Sequence, residues 1–177
     1  MKCLVWNCRG AAKKPFKVTL CNYIRKHKIG LVAILEPRIS GVLAQKKIKQ
    51  IGFNQAVIED AEGFSGGIWI LWKDEICSVQ LIEKKNQFIH VSCNLNSGSS
   101  FLLTVVYASP REDLREALWL DLIRIAGDVV GPWMMMGDFN EIVSFKEKKG
   151  GASINFTRCS KFCSVLNDCN VMDIGCR

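Results

Sequence analysis

The sequence predicts an α/β domain with more than one sheet. Short apolar runs such as Leu31-Val32-Ala33-Ile34-Leu35 alternate with amphipathic helical stretches early and late in the chain. A block of short strand-like runs, separated by turn residues, fills positions 53–107. The length, 177 residues, suits one domain with a substantial core and is short for two, so a single domain over 1–177 is expected.

The elements follow in order. A strand over 2–7 ends at Asn7. A helix over 15–29 accepts Pro15 at its first position, places Phe16, Leu20, Tyr23 and Ile24 on one face, and ends at Gly30. The strand over 31–36 is apolar throughout, as expected of a strand buried on both faces. A helix over 41–51 turns Leu43, Ile48 and Ile51 inward. Strands over 53–58, 66–72, 76–83, 87–95 and 101–107 are divided by Gly66-Gly67, Lys73-Asp74, Lys84-Lys85-Asn86 and Asn96-Ser97-Gly98. After Pro110, a helix over 111–127 carries Leu114, Leu118, Leu122 and Ile125 in one stripe. A strand over 132–137 follows, then a helix over 156–169 with Phe156, Phe162, Val165, Leu166 and Cys169 inward, and a short strand over 171–174. The five tryptophans are assigned to packing.

Bulk properties narrow the class. An apolar share of 49% suits a folded core, and no apolar run reaches transmembrane length. The N-terminal apolar stretch is too short for a secretory signal. Nine cysteines without a CxxC pair fit buried, reduced thiols rather than zinc or disulfides; Cys159 and Cys163 lack partners at ligand spacing. A nuclear or cytoplasmic, non-secreted chain is expected. Lys+Arg exceed Asp+Glu by 24 to 17, for a net charge of +7. That excess favours a nucleic-acid partner, although any single lysine cluster is also an ordinary solvated face. Nothing points to a membrane or a protein partner.

Four strands end in a polar group followed by a breaker: Asn7 before Gly10, Glu36 before Pro37, Tyr107 before Pro110, and Asp138 and Asn140 in Gly137-Asp138-Phe139-Asn140. Strand ends are where rigid scaffolds present chemistry. In an extended segment Asp138 and Asn140 point to the same side, one a proton acceptor or metal ligand, the other a hydrogen-bond donor. If the strands lie side by side, all five residues line one rim. Singly, each has a plainer reading. The tetrapeptide is a turn, Asn7 satisfies a turn, Glu36 pairs with Arg38 or a lysine, and Tyr107 is a core ring.

The ordered set WNCRG, LEPR, TVVYASP and GDFN resembles the endonuclease/exonuclease/phosphatase family, the DNase I-like fold. It is most similar to the N-terminal endonuclease of plant LINE-type non-LTR retrotransposons. Ser65-Gly66-Gly67, Glu141-Ile142, Glu147-Lys148-Lys149-Gly150-Gly151 and the 166–175 segment fit the same group.

The resemblance implies two packed sheets with helices outside. It also implies Mg²⁺ or Mn²⁺ on Glu36, DNA as partner, and nicking of one strand. Asp138 would orient and deprotonate water, while Asn7, Asn140 and Tyr107 would donate to phosphate oxygens or fix Asp138. Members of the family continue past the Asp173 segment and close with an aspartate-histidine pair, whereas this sequence stops at Arg177. His27 and His90 lie outside the motifs and are expected at the surface or half-buried. The expectation is therefore a fold incomplete at its C-terminus and a weakly active or inactive nuclease. A nucleic-acid-binding relic without catalysis, or a phosphatase or ribonuclease of the same fold, remains open.

Overall fold

The computed structural model describes residues 1–63, 66–147, 150 and 155–175. Ser65, Lys148, Lys149 and Gly151, which belong to two of the motifs above, lie outside them. The described residues form β1 (Cys3–Asn7), α1 (Lys14–His27), β2 (Leu31–Leu35), α2 (Gly41–Ile51), β3 (Gln55–Glu59) and β4 (Ile68–Trp72). They continue with β5 (Cys77–Lys85), β6 (Phe88–Leu95), β7 (Ser100–Tyr107), α3 (Glu112–Asp128), β8 (Trp133–Asp138) and α4 (Phe156–Asp168). The chain divides into two compact units, one of Met1–Tyr107 and Gly131–Asp138, the other of Ala108–Val130 and the described residues from Phe139 onward.

The first unit holds two four-stranded mixed sheets, ordered β1-β2-β4-β3 and β5-β6-β7-β8. β1 and β2 run parallel around α1, and β2 meets β4 antiparallel. In the second sheet β7 and β8 are parallel, the other pairs antiparallel. Alternation explains the apolar runs. Leu31, Ala33 and Leu35 of β2 and Ile68, Ile70 and Trp72 of β4 pack against Ile89, Val91, Leu103 and Val105 of the second sheet. Val32, Ile34, Trp69 and Leu71 face the other way, under Phe16 and Leu20 of α1 and Ala44 and Ile48 of α2. Both faces of β2 and β4 are thus buried, which requires unbroken hydrophobicity.

Two glycines are fixed by close backbone approach. A Cβ on Gly137 would stand 1.9 Å from the Val106 carbonyl oxygen, so only glycine lets β8 lie against β7 there. A Cβ on Gly67 would stand 2.9 Å from Pro37 Cγ and 3.1 Å from the Ala61 nitrogen, at φ +87°. An open apolar groove of about 290 Å³, lined by Met1, Cys3, Phe101 and Trp133 among others, sits where β1 and β8 begin, away from the strand ends that carry Asn7 and Asp138.

The second unit pairs α3 with α4 through Trp119 and Phe162, whose ring centroids are 5.2 Å apart. Asn155 caps α4, its side-chain oxygen accepting from the Arg158 N–H at 3.1 Å.

Several expectations need correction. Residues 171–175 carry no regular element, and Met172 and Ile174 are exposed, because no strand among the described residues gives the segment a ladder. Leu43, Leu114 and Phe156 stand exposed in the first turns of their helices. The inward stripes are instead Ala44, Ile48 and Ile51; Arg115, Leu118, Trp119, Leu122 and Ile125; and Cys159, Phe162 and Val165. Tyr23 is exposed and stacks on His27, also exposed. Lys28, at φ 54°, makes the left-handed turn that ends α1, two residues before Gly30, where the end was expected. His90 is fully inside, its Nδ1 2.8 Å from Thr104 Oγ1, which also accepts from Trp133 Nε1 at 2.8 Å.

Candidate active site at the strand ends

The strand register brings four of the five rim residues together. Asn7 stands opposite Leu35, the residue before Glu36, and Tyr107 stands opposite Asp138. Because the two sheets pack face to face, the ends of β1, β2, β7 and β8 converge.

The backbone around Glu36 is unusual. Glu36 and Arg38 adopt φ 51° and 56°, left-handed values rare outside glycine, and Glu36 does so immediately before a proline. The surroundings hold this shape. On one side the Gly10 and Ala11 N–H groups donate to the Glu36 and Pro37 carbonyls, each at 2.8 Å. On the other, the Glu36 and Arg38 N–H groups donate to the Gly67 and Gly66 carbonyls at 3.1 and 3.4 Å. The glycine pair is thus a clamp on the Glu36 turn, and strain of this kind gathers at functional sites.

The side chains form one network. Asn7 Nδ2 donates to Glu36 Oε1 at 2.9 Å and to Asp138 Oδ2 at 3.0 Å, so a single amide bridges carboxylates from both sheets. Its Oδ1 is buried with no hydrogen-bond partner among the described residues. Arg38 donates from Nε to Glu36 Oε2 at 3.0 Å and from Nη2 to the same oxygen. The Tyr107 hydroxyl comes within hydrogen-bonding reach of Glu36. Glu36 is 7% exposed. Burial alone would raise its pKa, but the bonds from Asn7, Arg38 and Tyr107 and the Arg38 charge outweigh it and hold the carboxyl below its ordinary 4.5. Tyr107 is pushed up to about 12, by burial first and then by Glu36 and the Asp138 charge.

Two like-charged carboxylates on one amide, beside an orphaned amide oxygen, make an anionic oxygen-only donor set. Such a set fits a hard divalent cation. Among the described residues no group of three or more His, Cys, Asp or Glu gathers to hold a metal. A cation here would therefore keep water or substrate oxygens in its remaining positions, the habit of Mg²⁺.

Asn140 belongs to the second unit. β8 ends at Asp138 and Asn140 adopts φ 49°, so the extended geometry assumed for the Asp138–Asn140 pair stops before Asn140. Its Nδ2 donates to the Ala108 carbonyl at 2.6 Å. The next residue, Glu141, accepts from Arg115 Nη2 at 2.6 Å and from Arg158 Nε at 2.9 Å, while Arg115 Nη1 donates to the Ser109 and Pro110 carbonyls, each at 2.7 Å. The sequence signal for that clamp on the segment after β8 is a cation inside an apolar helical stripe. Arg38 is the plain partner of Glu36 that the sequence allows, and part of the network as well.

A family model described as the endonuclease/exonuclease/phosphatase family matches residues 4–158. No curated protein matches the chain. Solved structures do. The AP endonuclease LMAP from Leishmania major is 10% identical with a TM-score of 0.69, the match covering 94% of this chain and 66% of that one. The endonuclease domain of TRAS1, a telomere-specific non-LTR retrotransposon, is 16% identical with a TM-score of 0.68, covering 94% and 71%. The 3'-5' exonuclease NExo from Neisseria meningitidis is 13% identical with a TM-score of 0.67, covering 95% and 71%. At these identities the likeness is one of fold, and the chain spans 66–71% of the length of these three structures.

Proposed function

The chain belongs to the endonuclease/exonuclease/phosphatase family, of DNase I-like fold, and from that premise we propose that it is a divalent-cation-dependent DNA endonuclease domain of non-LTR retrotransposon type. The observation that carries this reading is the Asn7 amide bridging Glu36 and Asp138 across two sheets. A structural ion pair needs one carboxylate and one cation; two carboxylates drawn onto one amide repel each other and are arranged for charge that arrives with a ligand.

Glu36, with Asp138 and the Asn7 oxygen beside it, would hold Mg²⁺ or Mn²⁺, and the bound cation supplies neutralisation of charge developing on the phosphoryl oxygens. Asp138 would accept the proton of the attacking water, whose oxygen bonds to phosphorus as the bond from phosphorus to the leaving sugar oxygen breaks; that oxygen keeps the electron pair and takes a proton from solvent. Asn7 fixes the orientation of the Asp138 carboxylate. Tyr107, with its pKa pushed up to about 12, keeps its proton at neutral pH and serves as a hydrogen-bond donor. The role of Asn140 as an amide donor to phosphate rests on its place in the motif. The +7 charge supports a polyanionic substrate over a small phosphomonoester. The likeness to the TRAS1 domain supports the retrotransposon origin, and the LEPR, SGG and EKKGG pieces support the plant LINE group.

The test is nicking of supercoiled plasmid with Mg²⁺ by the chain and by Glu36→Ala. The expected outcome is nicking that disappears in the variant, a loss of at least 10²-fold. DNA binding without nicking, indifferent to Glu36→Ala, would replace this reading with that of a binding module.

A further inference from the structure

We propose that Arg38 is a resident counter-ion that a divalent cation displaces from Glu36 Oε2, and that the displaced guanidinium then takes a phosphate oxyanion of the substrate. The inference rests on the reading of Glu36 as the cation ligand.

The argument starts from acceptor capacity. A carboxylate offers about four lone-pair positions. On Glu36, Asn7 Nδ2 uses Oε1, Arg38 Nε and Nη2 both use Oε2, and the Tyr107 hydroxyl approaches the same group. Both acceptor positions of Oε2 are taken by Arg38, so a cation reaches that oxygen only as the guanidinium leaves.

The three donors are unequal. Asn7 ends a strand and also holds Asp138. Tyr107 is buried at the end of β7. The Arg38 side chain is 45% exposed, and Glu36 is its only hydrogen-bond partner among the described residues. Its backbone is pinned by the bond to Gly66, so the side chain can swing while its Cα stays.

An ion pair exposed on its guanidinium side is weaker than a fully buried one, and a divalent cation brings twice the charge to the same oxygen. Once released, the guanidinium remains tethered two residues from Glu36, and its planar fork matches a phosphate. Cation binding and phosphate capture would then be linked through one side chain.

The experiment is a Mn²⁺ titration of the full chain followed by electron paramagnetic resonance, on the native protein, Arg38→Ala, Arg38→Gln and Glu36→Gln. Duplex DNA affinity is measured in parallel with and without Ca²⁺. Circular dichroism verifies folding; the exposed Arg38 side chain makes both Arg38 variants safe in this respect. Arg38→Ala and Arg38→Gln are expected to bind Mn²⁺ about two- to fivefold more tightly, the range set by one part-exposed ion pair. They should also lose most of the gain in DNA affinity that Ca²⁺ gives the native chain. Equal or weaker Mn²⁺ binding in both Arg38 variants overturns the displacement. Tighter Mn²⁺ binding with an undiminished Ca²⁺-dependent gain overturns the phosphate capture alone. Unchanged Mn²⁺ binding in Glu36→Gln would instead remove Glu36 as ligand, and the proposal with it.

Discussion

At the scale of single residues, Glu36 shows how a sequence places a charge where it is half-forbidden. It is 7% exposed and left-handed before a proline, yet its carboxyl is held below its ordinary 4.5 because donors outnumber the penalty of burial. A carboxyl whose pKa is lower in the folded state stabilises that state above its unfolded pKa, and loses the contribution as pH falls through the folded value. The native chain should therefore melt higher than Glu36→Gln at pH 7. The gap should begin to narrow below about 4.5, where the unfolded carboxyl gains its proton, and close only once pH falls past the lower folded value. Thermal melts of both proteins across pH 3–7 check this; a gap that widens toward acid contradicts the donor network. The positions of Asn7, Glu36, Tyr107 and Asp138 were legible because each ends an apolar run before a breaker. The left-handed turns at Glu36 and Asn140 were not, since sequence patterns give periodicity but not the sign of φ at a non-glycine residue. The assumption that Asp138 and Asn140 share an extended side failed for that reason.

At the scale of elements, the helices were found and their faces partly misread. Each misplaced residue, Leu43, Leu114 and Phe156, lies in a first turn, where the helix has only begun to face its partner. In α3 the misreading hid a functional-looking feature. Arg115 occupies a core position, 1% exposed, and reaches Glu141, which also accepts from Arg158 of α4. Two helices thus hold the segment after β8 through one carboxylate. Its removal would leave a buried guanidinium without a counter-charge, which typically costs about 3–5 kcal/mol. Glu141→Ala should therefore lower unfolding free energy by about that amount, and Glu141→Gln by less, since its amide oxygen still accepts from Arg115. Urea unfolding followed by fluorescence of the tryptophans measures both. A loss under 1 kcal/mol in Glu141→Ala would show that the clamp is ornamental to stability. The alternative, replacing Arg115 and Glu141 together by apolar residues, should recover part of the loss.

At the scale of the whole molecule, the sequence predicted several sheets but not the order of their strands. Pairing β2 with β4 rather than β3 joins positions far apart in the chain, and no local propensity encodes that choice. Charge is distributed in the same non-local way. The clusters Lys13-Lys14, Lys46-Lys47-Lys49 and Lys84-Lys85 look alike in sequence. Folded, they differ. Lys84 is engaged by Glu59 at 3.2 Å and by the Ile58 carbonyl, and Lys85 lies 3.8 Å from Glu83. Lys46 and Lys49 project from α2. Lys13 and Lys14 are exposed just after Gly10 and Ala11, whose N–H groups bond the Glu36 and Pro37 carbonyls. They therefore stand at the carboxylate end of the strands, where a bound polyphosphate backbone would pass. Each phosphate contact contributes about 0.9 to the slope of log affinity against log salt concentration. Lys13→Gln with Lys14→Gln should flatten that slope for duplex DNA by about one to two, whereas Lys46→Gln with Lys49→Gln should leave it unchanged. Fluorescence anisotropy at several salt concentrations distinguishes the two. Equal slopes for both pairs would mean that the positive charge attracts DNA diffusely and that the rim does not orient it.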